Sequence, residues 1–294
     1  MEKGNIHLKQ RLLISFIVFL ILVLGSAFYY FQHSSRQEVS ASGQDVKESN
    51  LKYGSNPKQT LDLYTRKVQS GKKLPVIIYA HGGGWRGGDK TNVSAKPEFF
   101  TKKGYAFISI NYRLSPEATC KEMENNVSNS IKWVYDNVNK YHFDRTKINL
   151  MGHSAGGHLM MLVAANPNYL NNVGLSSKTI NSVVNIEGPL DLTDFIKKFG
   201  SYKKVFGNDQ KVWEEASPFT YAANKNLPPM FLIDNVINTS EIFMDKTKKA
   251  GNTVEDFKAK TLSHSQSTQL LGTSRTEEAA KMTNDVVKFL KKYN

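Results

Sequence analysis

Residues 147–165 read Lys-Ile-Asn-Leu-Met-Gly-His-Ser-Ala-Gly-Gly-His-Leu-Met-Met-Leu-Val-Ala-Ala, and this stretch decides the fold. The short apolar run at 147–151 suits a strand buried on both faces, and 154–165 suits a buried helix. Between them, Gly152, Ala155, Gly156 and Gly157 are small enough for the chain to turn sharply. The pentapeptide 152–156 fits G-x-S-x-G, which belongs at a strand-to-helix turn that lifts the serine hydroxyl above a sheet edge. A serine hydroxyl is a weak nucleophile unaided, so Ser154 matters chemically only where a base can reach it.

Outward from this turn the chain alternates. Short apolar runs at Leu74–Ala80, Tyr105–Asn111, Ile180–Ile186 and Met230–Ile233 read as buried strands, with Thr60–Tyr64 a shorter one ahead of them. Glu122–Lys140 carries helical periodicity through Val127, Ile131, Val134 and Val138, and Glu277–Tyr293 does so through Met282, Val286, Leu290 and Tyr293. Strands alternating with helices predict an α/β fold, a mostly parallel sheet covered on both faces. In such sheets ligands collect at the carboxyl ends of the strands, where the motifs fall.

A second motif, His81-Gly82-Gly83-Gly84-Trp85, directly follows the Leu74–Ala80 strand. Successive glycines let backbone N–H groups face a substrate with no Cβ in the way. The amides of Gly83, Gly84 and Ala155 are the candidate donors to the oxyanion of a tetrahedral acyl intermediate. A phosphate cradle is the rival reading, but the Lys-Ser/Thr ending of a P-loop is missing.

In order, the glycine loop, Asn111–Glu117 (NYRLSPE) and Gly152–Leu159 (GHSAGGHL) resemble the α/β-hydrolase superfamily. Within it the chain is most similar to hormone-sensitive-lipase-like carboxylesterases and the related feruloyl-esterase and kynurenine-formamidase-like enzymes. The resemblance covers about residues 51–294 and takes in Gly188–Leu192 (G-x-x-D-L) and Ser217-Pro218. It implies an α/β-hydrolase fold, a Ser–acid–His triad in that chain order, and no cofactor. His264, in a loop before the last helix, lies where the base is expected. His81, His153 and His158 belong to the glycine loop, the turn and the helix, and structural roles are expected for them. The acid normally follows the seventh strand, and there the chain has Asn238. An amide can orient an imidazole but cannot balance the imidazolium charge, and the comparable change in a serine protease costs roughly 10⁴ in turnover. Three outcomes stay open: a carboxylate from Glu241 or Asp234, Asn238 as a weaker third member, or no working triad.

The remaining composition narrows the alternatives. Apolar residues make up 40% of the 294, with 9 prolines, which excludes a disordered or collagen-like chain. One cysteine, Cys120, excludes a disulfide framework within the chain. No H-E-x-x-H, EF-hand or post-strand G-x-G-x-x-G is present, so no metal or nucleotide cofactor is expected. The net charge of +13 is spread along the chain without an Arg-rich arm, which argues against nucleic acid and leaves an anionic surface polymer as a partner.

Residues 12–31 form an uncharged apolar run, long enough as a helix (~30 Å) to cross a bilayer. Lys3, Lys9 and Arg11 ahead of it favour a cytoplasmic N-terminus at 1–11. The expectation is a transmembrane signal anchor, with a cleaved signal peptide as the competing reading. Residues 32–50 read as a flexible linker and 51–294 as the α/β-hydrolase domain, with 194–226 as a partial cap. Two functional classes fit: an extracytoplasmic serine esterase acting on small or medium acyl esters, or a catalytically weak binding module on the cell surface.

Overall fold

The computed structural model describes residues 45–67, 71–235 and 237–294. Eight strands form one sheet: β1 (Asp45–Lys52), β2 (Thr60–Arg66), β3 (Leu74–Ala80), β4 (Ala106–Ile110), β5 (Phe143–His153), β6 (Ile180–Ile186), β7 (Met230–Asp234) and β8 (Val254–Lys258). Their spatial order is β1-β2-β4-β3-β5-β6-β7-β8. The β1–β2 and β2–β4 pairs are antiparallel; every other pair is parallel.

The apolar runs lack polar alternation because both faces of the sheet are covered. Along β3, Val76, Ile78 and Ala80 enter one core while Ile77 and Tyr79 enter the other, the two-residue period of a strand. After β3 and β4 come α1 (Lys96–Lys102) and α2 (Cys120–Asp136), and after β5 come α3 (Ala155–Ala165) and α4 (Pro167–Asn171). On one face α2 packs Met123, Val127, Ile131 and Val134 beside the wholly buried α3. A capping box, Thr119 with Glu122, starts α2. The 192–215 segment folds as α5 (Leu192–Lys198), α6 (Lys203–Phe206) and α7 (Gln210–Glu215), and α8 (Ile237–Lys249) follows β7. The chain ends with α9 (His264–Gln269) and α10 (Glu277–Tyr293); α10 packs Met282, Val286, Phe289 and Leu290 with Phe100 of α1 into the second core.

Asp45–Asn50, the last residues of the linker expected at 32–50, belong to β1. An edge strand is held by its backbone ladder and needs few apolar side chains. Here Asp45 pairs with Arg66 in register, and Arg66 Nε lies 2.6 Å from Asp45 Oδ1. The span predicted at 12–31, its flank at 1–11 and residues 32–44 lie outside the described residues. No described helix is long and apolar enough to cross a membrane.

Register positions the site. Ala80 of β3 lies opposite Gly152 of β5, and Gly152 lies opposite Asn185 of β6. The chain leaving each of these strands therefore reaches one edge of the sheet at the same level, with the glycine loop, Ser154 and Glu187 side by side.

Candidate active site

Ser154 sits between β5 and α3 with φ 51° and ψ −121°, a conformation that side chains rarely adopt. Its N–H donates to Ile186 O (2.8 Å) at the end of β6. The turn can be this tight only because its neighbours are glycine: a Cβ on Gly156 would stand 2.3 Å from Ala80 O.

The glycine loop lies directly against this turn, since a Cβ on Gly82 would come within 3.1 Å of Ser154 Cβ. Gly83 and Gly84 take φ values of 130° and 60°. Gly83 O accepts from both Arg86 N (3.1 Å) and Gly87 N (3.0 Å), which folds the loop back on itself. Ala155, the third expected amide donor, opens α3 beside the serine.

His264 is the first residue of α9, which Ser263 and Gln266 cap reciprocally. Its Nδ1–H donates to Glu187 Oε2 at 2.8 Å. Glu187 follows β6, and its side chain is only 4% exposed. The turn carrying it has φ 52° and is clamped by Asn185, which donates to Gly188 O and accepts from Gly188 N, both at 2.9 Å. Ser267 Oγ donates to the other carboxylate oxygen of Glu187. Both oxygens are thus held by α9, and the imidazole is oriented with Nδ1 on the carboxylate and Nε2 on the opposite side of the ring.

The carboxylate on the histidine is therefore Glu187, not a residue after β7. Asn238 lies in the first turn of α8, with its side chain outside those described. Glu241, one of the alternatives, pairs with Lys258. Asp234 lines the same pocket as Ser154 and His264, but Nδ1 of the histidine is engaged by Glu187. Sequence reasoning missed Glu187. The available signal was a carboxylate immediately after a buried parallel strand, ahead of Gly188-Pro189, at the edge where ligands collect.

The histidines of the glycine loop, the turn and the following helix have structural partners. His158 is wholly buried; its Nε2–H donates to Ala216 O (2.7 Å) and its Nδ1 accepts from Trp85 Nε1 (3.2 Å). Burial holds its pKa down at about 4, so it is neutral. His153 donates from Nε2 to His264 O (3.0 Å), and the two rings lie 4.6 Å apart. Burial, aided by the neighbouring His264, lowers His153 to about 4. His81 stacks on Tyr112 at 4.6 Å, and burial depresses its pKa too.

Ser154, Glu187 and His264 share a pocket of about 380 Å³. One wall is aromatic: Trp85, then Phe195, Phe199 and Tyr202 of the expected cap. Trp85 packs on Phe195, Tyr202 and Phe206 at 6.0, 5.4 and 4.9 Å between ring centres. The indole thereby joins the glycine loop to the cap. Among the described residues, no group of three or more His, Cys, Asp or Glu side chains could hold a metal ion.

The sheet order, the strained serine turn and the position of the last histidine define an α/β-hydrolase. The chain belongs to the BD-FAE family, whose sequence profile matches residues 61–241. Among curated proteins it is similar to Esterase LipC of Mycobacterium tuberculosis, 30% identical over 197 residues (62% of this chain, 48% of that one). It is also similar to kynurenine formamidase of Drosophila melanogaster, 24% identical over 183 residues (60% and 58%). The chain spans about half the length of the curated relatives it matches. Among solved structures, esterase B from Lactobacillus rhamnosis aligns over 93% of this chain and 95% of its own, with a TM-score of 0.69 and 20% identity. At that identity the likeness speaks for the fold.

Proposed function

We propose that this protein is a serine carboxylic-ester hydrolase acting on small or medium acyl esters. The observation that carries the reading is the Glu187–His264 hydrogen bond in the pocket that Ser154 also lines. Ser154 Oγ attacks the ester carbonyl while His264 Nε2 takes its proton. The amides of Gly83, Gly84 and Ala155 receive the oxyanion. Glu187 keeps the ring in its productive tautomer and faces the imidazolium with its carboxylate. The histidine then gives the proton to the leaving alcohol, and water, deprotonated by the same nitrogen, releases the acid. No cofactor takes part. Esterase names among the similar proteins and a pocket of about 380 Å³ agree with esters of this size.

The test is hydrolysis of p-nitrophenyl butyrate and labelling by a fluorophosphonate. Ser154→Ala should lose the label and lower kcat by roughly 10⁵-fold or more. Labelling of the variant equal to the wild type refutes the assignment. The weak binding module rested on an amide in the acid's place, and a carboxylate on His264 Nδ1 favours turnover instead.

The proposal includes location. The uncharged run at 12–31 with basic residues ahead of it supports an anchor that leaves the hydrolase domain outside the cytoplasm, facing surface-borne esters and anionic polymers. The full chain should resist alkaline carbonate extraction from membranes, whereas a form starting at residue 43 should not sediment. A full chain found wholly in the soluble fraction refutes the anchor.

A further inference from the structure

Lys96, the first residue of α1, is wholly buried. Its Nζ donates to Thr268 O at 2.6 Å and to Thr268 Oγ1 at 3.1 Å, and it lies 5.0 Å from the centre of the Tyr79 ring. The Thr268 hydroxyl in turn bonds the Tyr79 phenol at 3.1 Å. Among the described residues no carboxylate pairs with this ammonium, and burial alone pulls its pKa down to about 7. An unpaired buried cation is costly where an apolar chain of the same length is not. Packing does not explain the lysine, but its partner does. Thr268 belongs to α9, the six-residue helix whose first residue is His264.

A helix this short has no stability of its own and stays where side chains fix it. At its first residue, Glu187 holds the imidazole and His153 holds the carbonyl of His264; Ser267 adds a second bond to Glu187. All three tie α9 to β6 and the serine turn. Lys96 holds the far end, and from a different element, α1. A base held only from β6 and the serine turn could still swing with the far end of the helix.

We propose that Lys96 is a positioning residue for His264, gripping the Thr268 end of α9 so that the imidazole keeps its distance to the serine. The inference rests on the esterase reading. A displacement of about 1 Å at a reacting group lowers rates by up to ~100-fold. Positioning therefore predicts a loss in kcat while substrate binding, set elsewhere in the pocket, is kept.

The test uses the full-length protein and Lys96→Met, with active sites titrated by fluorophosphonate. The kcat per titrated site should fall about 10- to 100-fold with KM held within about twofold. The thermal midpoint should stay level or rise, since the unpaired charge is gone. A lysine that merely supports the fold gives the opposite pattern, a lower midpoint with wild-type kcat per site, and overturns the proposal. Should Lys96→Met fail to fold, Thr268→Val decides. Its kcat should drop severalfold while Thr268→Ser, which keeps the hydroxyl, stays near wild type, and equal kcat in both variants overturns it. If the wild type shows no Ser154-dependent turnover, the esterase reading is what fails. The His264 imidazole proton resonances then report position directly: a shift or broadening in Lys96→Met supports the grip, and unchanged lines overturn it.

Discussion

At the scale of single residues, the site turns on a carboxylate that chain order hides. Glu187 and His264 lie 77 positions apart and meet only because β6 ends beside β5 and α9 folds over both. Glu187→Gln should keep the fold and lower kcat by roughly 10³- to 10⁴-fold, by analogy with amide replacement of a protease aspartate. Asn238→Asp should leave kcat within about twofold, since Nδ1 of His264 is already engaged. A rise in kcat for Asn238→Asp would return the third role to the chain after β7. The serine turn and the glycine loop were legible from local motifs, and His264 from its place late in the chain, where the resemblance implies a base. The carboxylate that holds His264 was not, because a glutamate after a strand has no local pattern that says which imidazole it will face.

At the scale of elements, the strands were legible where apolar runs are bounded by turn residues. The edge was not. Asp45–Asn50 looks like a polar linker because a strand with one neighbour is held by backbone bonds, and Val254–Lys258, with its charges facing solvent, hides for the same reason. The cap divides into two kinds of ring. Phe206 is buried against Trp85, whereas Phe199 is 45% exposed at the pocket. Phe206→Ala should cost about 3–5 kcal/mol, seen as a fall in thermal midpoint together with kcat, because the glycine loop loses its support. Phe199→Ala should leave the midpoint alone and raise KM more for longer acyl chains than for acetate. Equal effects of the two substitutions would mean that the cap does not divide in this way.

At the scale of the whole molecule, two buried groups bound the pH range of stability. His158 has a folded pKa of about 4 against an ordinary 6.5, so between those values the unfolded chain binds more protons and acid favours unfolding. That group alone accounts for on the order of 3 kcal/mol, present above pH 6.5 and lost by pH 4. His158→Leu should start less stable at pH 7 but lose less on acidification, as thermal melts would show. Glu124, buried in α2 with Cys120 donating to it at 3.0 Å, is raised by burial to about 7. The folded protein binds the extra proton here, so this contribution is full below pH 4.5 and fades as pH rises to 7. Glu124→Gln should therefore gain on the wild type between pH 5 and 8, and parallel melting curves over that interval would contradict the assignment.

In the proposed mechanism the carboxylate comes from just past the strand next to the one that carries Ser154, and the chain after β7 is then relieved of chemical duty. Asp234 and Asn235 still border the cavity. On that proposal, relatives sharing Glu187 can vary in sequence and length just past β7, and such drift would retune which esters are admitted while leaving the rate of bond cleavage intact.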